Sequence, residues 1–340
     1  MKHRSKPIFI ISCFLVFVLL FMHSTISVVE AQEVEDERDF DYVEGSKKGP
    51  AYWGEIKKEW AACKHGGMQS PIDLPRKSFQ ILPSLVELKR IYKPSNATLK
   101  NRGHDIKIEW EGDAGSIKIN GTDYFFKQCH WHTPSEHSIN GIRYDLELHM
   151  VHQSTDPKIR NSIAVLAFLY HIGNPNLFLS KVNKDIMSEV ATKEVHLGVI
   201  DPREIKWTSF SFYRYVGSLT SPPCAEGVIW TINEKVKHVS REQVELLQEA
   251  VDDYAEMNTR PLQPLNDREI KHYGLSLSDA PSPHEGNHGP KQYRSVSAQS
   301  PKESGSINAP KPSHPEGNQS PKQSLRLFTH ITVCIFAYLL

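Results

Sequence analysis

The chain has 340 residues, of which 39% are hydrophobic, and its 40 Lys and Arg are balanced by 40 Asp and Glu. A net charge of zero gives no global field to draw in nucleic acid or an anionic membrane surface, so neither is expected as a partner. The length allows one large domain or two medium ones.

Residues 1–31 read as a secretory signal. Lys2, Arg4 and Lys6 precede an apolar run from Ile8 to Met22, and Val29-Glu30-Ala31 supplies the small-residue pattern. The run is shorter than the roughly 20 residues of a membrane span, and an uncleaved anchor is the alternative reading. Export through the secretory pathway changes how the five cysteines read. Cys13 lies in the signal and Cys334 in the apolar C-terminus, which leaves Cys63, Cys129 and Cys224 in the body. One disulfide and one free thiol are expected there, with the pairing open at this point. Sequons at Asn96, Asn120 and Asn318 fit the same route, and Asn96 and Asn120 are expected to carry glycans.

Residues 32–49 are acidic, with Glu33, Glu35, Asp36, Glu37, Asp39 and Asp41, and are expected to form a solvated linker. Residues 50–274 have the composition of a folded body. Ile106 to Trp110 and Ser116 to Ile119 alternate apolar and polar residues, the second leading into the turn Asn120-Gly121. Leu146 to Val151 reads as a further strand, and Ile163 to Tyr170 as one covered on both faces. The best helical pattern runs from Ser240 to Met257, opened by Ser240 and Gln243 as a capping box and continued by Val244, Leu247, Val251 and Tyr254. The body is therefore mostly strand with a few short helices. Residues 275–326 are rich in Pro, Ser, Gly, Lys and His and too poor in apolar residues to offset chain entropy, so disorder is expected. The apolar segment 327–340, following that spacer, resembles a glycolipid-anchor signal, which would attach the protein to a membrane.

The chemistry is concentrated in Gln128-Cys129-His130-Trp131-His132-Thr133-Pro134-Ser135-Glu136-His137 and Glu147-Leu148-His149-Met150-Val151-His152. Residues two apart on a strand share a face, so His130 projects with His132, and Glu147 with His149. Side by side, such strands bring three imidazoles to one point. Three neutral nitrogens suit a catalytic zinc ion with an open position, its +2 charge acidifying bound water toward neutrality. Gln128 and Glu147 lie two residues before His130 and His149 and are expected to hold those rings. A lone His-X-His is a weak signal; the helical His-Glu-X-X-His motif is absent.

These segments resemble the alpha-class carbonic anhydrases, in their plant-type style. Further matches follow: Trp53-Gly54, Gln69-Ser70-Pro71-Ile72-Asp73, Gly103-His104, Gly217-Ser218-Leu219-Thr220-Ser221-Pro222-Pro223, Trp230, and Asn258-Thr259-Arg260-Pro261-Leu262-Gln263-Pro264-Leu265. The resemblance runs from about residue 50 to 274. It implies a single mainly β domain with peripheral helices around a large, twisted, mostly antiparallel sheet. It also implies Zn2+ held by His130, His132 and His149, with carbon dioxide and bicarbonate as substrates. Thr220 would donate to an ionised Glu136 and orient the attacking oxygen. His104 would carry protons to buffer. Val151, Val165, Leu219, Thr220, Ser221 and Trp230 would line the substrate pocket, and Cys63 and Cys224 would form the disulfide, leaving Cys129 buried and inert. His137 and His152 are expected to support the core. The pattern departs at Glu55, Arg102 and Lys107, which replace polar or tyrosine positions of the family. The alternative reading is a storage or binding glycoprotein on the same fold.

Overall fold

The alternating segments become neighbouring strands because their apolar sides have one surface to cover. This computed structural model describes residues 39–274, apart from 76–79, 82–87, 193 and 210. In chain order its strands are β1 (Asp73–Leu74), β2 (Gln80–Ile81), β3 (Lys89–Tyr92), β4 (Ser95–Asn101), β5 (Ile106–Trp110), β6 (Gly115–Ile119), β7 (Thr122–His132), β8 (Ser138–Ile139), β9 (Ile142–Arg143), β10 (Leu146–Gln153), β11 (Ile163–Ile172), β12 (Glu194–Ile200), β13 (Phe212–Ser218), β14 (Glu226–Val239) and β15 (Lys271–Gly274). Twelve of them form one sheet in the order β12-β4-β5-β7-β10-β11-β14-β13-β15-β2, with β6 on β7 and β3 on β6. Pairing is antiparallel except for β11 with β14 and β15 with β2. The chain is thus mainly β with peripheral helices, as the sequence led us to expect.

The four strand segments read from the sequence are β5, β6, β10 and β11. The Asn120-Gly121 turn closes the β6–β7 hairpin with φ of 49° and 84°, the left-handed pair that a two-residue turn between twisted strands requires. Strand β11 is buried along its first eight residues, as a central strand covered on both faces must be. On one side of the sheet Cys129, Trp131, Leu148, Met150, Leu166 and Phe168 join the larger core. On the other, Val165, Leu219, Trp230 and Ile232 form a second core, with Val151 packed against it.

Three expectations need correction. The helix expected over Ser240 to Met257 runs only from Arg241 to Glu249. Its capping box forms, with Ser240 Oγ accepting from the Gln243 N–H at 3.3 Å and Gln243 Oε1 accepting from the Ser240 N–H at 3.2 Å. It then stops because the Asp252 N–H donates to the Gly103 carbonyl at 2.9 Å, a tertiary acceptor in place of a helical one. A longer helix, Leu177–Thr192, escaped the sequence reading. Its signal was Asn176, whose Oδ1 accepts the Leu179 N–H at 3.0 Å, together with Phe178, Val182 and Ile186 at helical spacing, all buried.

The third correction is the acidic linker. From Phe40 onward it is part of the packed body. The Phe40 ring lies 5.4 Å from that of Trp53, 6.1 Å from Trp60 and 5.2 Å from His104. Trp53 Nε1 donates to the Lys48 and Asp41 carbonyls at 2.9 and 3.1 Å. Phe40 and Tyr42, both buried and each contributing about 1.5–3 kcal/mol, outweigh the acidic surroundings. The signal (1–31), the start of the linker, the tail 275–326, the apolar end 327–340 and Asn318 lie outside the described residues.

Candidate metal centre

His130 and His132 stand on β7, and His149 on β10 directly opposite His130. The register puts all three rings on one side of the sheet. Their centroids are 4.6–5.1 Å apart, and one nitrogen from each falls within 4.8 Å of the others. All three side chains are buried.

Which nitrogen faces inward is set by what holds the other. His130 Nδ1 bonds Gln128 Oε1 at 2.9 Å, His132 Nδ1–H donates to the Asn258 carbonyl at 2.8 Å, and His149 Nε2–H donates to Glu147 Oε1 at 2.8 Å. That leaves Nε2, Nε2 and Nδ1 converging. Sequence reasoning anticipated Gln128 and Glu147. Asn258 was quoted only within a motif, and no local signal ties it to His132, 126 residues away. His130 Nε2 and His149 Nδ1 are 3.3 Å apart. His132 Nε2 is buried and has no hydrogen bond. A buried ring nitrogen without a partner costs about 1–3 kcal/mol, so His132 Nε2, turned with His130 Nε2 and His149 Nδ1 on one point, fits a divalent metal of the kind imidazole favours.

Burial pushes the His130 pKa well down, with Asp105 only partly opposing, and burial likewise lowers His149 against the pull of Glu147. Both rings are thereby held neutral, as ligation requires. Burial works the same way on His132, but Glu136 and the Asn258 carbonyl outweigh it and raise that ring. For Glu147, burial would raise the carboxyl, yet His137 and His149 hold it well below the usual carboxylate range. Glu147 accepts from the His137 N–H at 2.8 Å and from His137 Nδ1–H at 2.7 Å. His137 Nε2 then accepts from the Tyr215 hydroxyl at 2.7 Å, which also bonds Ser70 Oγ at 2.8 Å. His137 therefore supports Glu147, and through it His149. His152, buried against Tyr92 OH at 2.8 Å, belongs to the core.

The remaining site residues are placed as follows. Glu136 is fully buried; its Oε1 accepts the Arg260 N–H at 3.0 Å, and its Oε2 has no hydrogen bond. Thr220 is buried, as are its neighbours Leu219 and Ser221. Val165, Leu219 and Trp230 share one apolar cluster with Val151 beside it, and the Trp230 ring is 4.8 Å from His149. His104 is 1% exposed, with the Phe40 ring against it. Arg102 forks onto Asp105 at 2.8 and 2.5 Å, and Lys107, opposite His130, reaches Glu109 at 3.4 Å. Glu55 pairs with Lys64 on the surface. Cys63 and Cys224 form the disulfide, 161 residues apart in sequence, and Cys129 is free and buried, with its thiol pKa pushed up by burial.

Comparison with known proteins gives this geometry its relatives. Residues 48–274 match the family model of eukaryotic-type carbonic anhydrase. Carbonic anhydrase Nec1 of Nesocodon mauritianus is 51% identical over 76% of this chain and 92% of its own length. Alpha carbonic anhydrase 7 of Arabidopsis thaliana is 47% identical over 78% of this chain and 95% of its own. Among solved structures, a dioscorin complexed with ascorbate superposes with a TM-score of 0.66 at 40% identity, covering 70% of this chain and 99% of its own. With its family model matched over two thirds of its length, and relatives at about half identity, the chain belongs to the eukaryotic-type (alpha) carbonic anhydrases.

Proposed function

We propose that this protein is a zinc-dependent carbonic anhydrase that interconverts carbon dioxide with bicarbonate and a proton. The observation that carries this is the trio of inward nitrogens on His130, His132 and His149, each fixed from behind by a separate acceptor. Those three side chains would hold the ion. Zinc supplies a Lewis acid that makes a hydroxide nucleophile available at neutral pH.

The chain's own residues do the rest. Val151, Val165, Leu219 and Trp230 offer an uncharged wall, which suits a small apolar substrate and excludes competing water. Ser221, buried beside Thr220 in sequence, would complete the pocket lining. Glu136 Oε2, without a hydrogen bond of its own, is the acceptor for the Thr220 hydroxyl proton. Thr220 thereby becomes an acceptor toward the nucleophile and aligns its lone pair with the substrate carbon. Thr220→Ala is expected to retain zinc in full and to lose about 10²-fold in turnover, since a misaligned nucleophile forfeits that much. Equal hydration rates in variant and parent would remove Thr220 from the mechanism.

Proton export is assigned to His104 by its place in the Gly103-His104 motif, since an imidazole can both accept and donate a proton. His104→Ala is expected to slow turnover at low buffer concentration only, with added imidazole restoring it. A rate indifferent to buffer would strike His104 from the account.

The second reading, a storage or binding protein, is favoured by the likeness to a dioscorin. Retention of the three histidines, Glu136 and Thr220 favours the enzyme. Stopped-flow hydration together with metal analysis decides between them. One zinc per chain with hydration above the buffer rate supports the enzyme; one zinc with none supports the binding protein. The Cys63–Cys224 disulfide supports passage through an oxidising, secretory compartment. Asn96 and Asn120 are exposed and open to glycosylation. Membrane attachment through a C-terminal lipid would be seen as release by a phosphatidylinositol-specific lipase.

A further inference from the structure

Behind the sheet, on the face turned away from the histidines, lies a cavity of about 370 Å³. Trp131, Leu148 and Tyr170 form its apolar floor, and Lys206, Lys237 and His238 stand at its edge. Trp131 alternates with His130 and His132 along β7, and Leu148 with Glu147 and His149 along β10, so cavity and metal centre occupy opposite faces.

Lys237 is the unusual member. It lies on β14 opposite Tyr170, with Nζ 4.1 Å from the Phe168 ring centroid and 5.8 Å from that of Tyr170. It donates to the Lys206 carbonyl. Among the described residues no carboxylate is paired with it. The one carboxylate in the cavity wall, Glu204, is bonded to Lys181 at 2.6 Å. Its charged neighbour is another cation, Arg90, whose guanidinium sits over the Trp207 ring. The two rings favour an ammonium but bring no countercharge. Burial, with Arg90 adding to it, brings the Lys237 amine down to about 7.

We infer that Lys237 is a carbon dioxide modification site, its amine forming a reversible carbamate inside this cavity. The nitrogen lone pair attacks the carbon of carbon dioxide, an N–C bond forms as one C=O electron pair moves to oxygen, and nitrogen releases one proton to solvent. No oxidant or leaving group is needed. The remaining N–H can still donate to the Lys206 carbonyl. The side chain changes from a potential cation to an anion, so Arg90, which repels the ammonium, attracts the carbamate. The Lys206 ammonium, on a residue that also lines the cavity, adds to the same field. Apolar walls admit the gas and hinder the reprotonation of nitrogen that would release it again. The inference does not rest on hydration at the histidines, because dissolved carbon dioxide is the only reactant.

The test equilibrates the full-length purified protein with carbon-13-labelled carbon dioxide and bicarbonate, traps carbamates by O-ethylation with triethyloxonium, and maps the adducts by mass spectrometry. Near pH 7.5 an amine titrating at about 7 is mostly neutral, so labelling at Lys237 should exceed that at exposed Lys181 and Lys235 by roughly tenfold or more. Arg90→Gln should reduce it at the same pH. Lys237→Arg should abolish the label and leave hydration unchanged. Labelling at Lys237 no greater than at Lys181 overturns the inference. So does a Lys237 that reacts preferentially with cyanate yet carries no carbon dioxide adduct. Loss of hydration with the Lys237 label intact would count against the metal-centre reading alone.

Discussion

His132→Ala is expected to leave a protein that neither retains zinc through dialysis against a chelator nor hydrates carbon dioxide above the buffer rate. Two nitrogens would remain, His130 Nε2 and His149 Nδ1, both still held from behind by Gln128 and Glu147. A third ligand is what closes a tetrahedral site around one open position, and its loss leaves the ion solvated and exchangeable. The substitution also strips the Asn258 carbonyl of the His132 N–H, a cost of about 1–3 kcal/mol for a buried acceptor. Because some loss of stability follows from that alone, zinc content is the deciding measurement. His171→Ala, at an exposed position on β11, is the matched control and should keep one zinc per chain. If His132→Ala retained stoichiometric zinc, the three-histidine centre would be wrong.

Arg260→Ala is expected to produce the largest loss of stability. The guanidinium is buried and donates to Gln69 Oε1 at 2.9 Å, the Ser70 carbonyl at 2.8 Å and the Cys63 carbonyl at 2.8 Å. Burial brings its pKa down to about 10, still far above neutrality, so it remains charged. Each hydrogen bond from a charged donor contributes about 1.5–3 kcal/mol. Truncation leaves three acceptors unsatisfied beside Trp53 and a cavity where the side chain was, together about 3–5 kcal/mol. Urea unfolding monitored by tryptophan fluorescence measures it; a loss under about 1 kcal/mol would refute the assignment. Arg260→Lys should recover little, since one ammonium cannot reach three acceptors arranged for a planar fork. The backbone N–H of residue 260, which bonds Glu136, survives the substitution, so activity should fall only as far as the packing around it shifts.

Some of this could be read in the residues themselves. Strands β5, β6, β10 and β11 follow from two-residue alternation, and the β6–β7 turn follows from Asn120-Gly121. The pairing of His130 with His132, and of Glu147 with His149, is a property of any strand. So are the supports Gln128 and Glu147, two residues back on the same face. Similarity of motifs to a family then linked segments that no local rule connects, including Cys63 with Cys224. Helix Leu177–Thr192 was legible in principle, but its apolar positions are interrupted by Ser180, Lys181 and Lys184, and the surrounding strand signal was stronger.

Local chemistry determined what each segment could become, because side-chain direction depends on a few neighbouring dihedral angles. Only the tertiary structure decided which distant atoms meet. The carbonyl of Asn258 behind His132, the Phe40 ring over His104, the helix cut short by the Gly103 carbonyl, and the Lys237 amine beside Arg90 all join residues far apart in the chain. Such contacts depend on how the whole sheet twists and what is left to cover its faces, and no window of sequence contains that information.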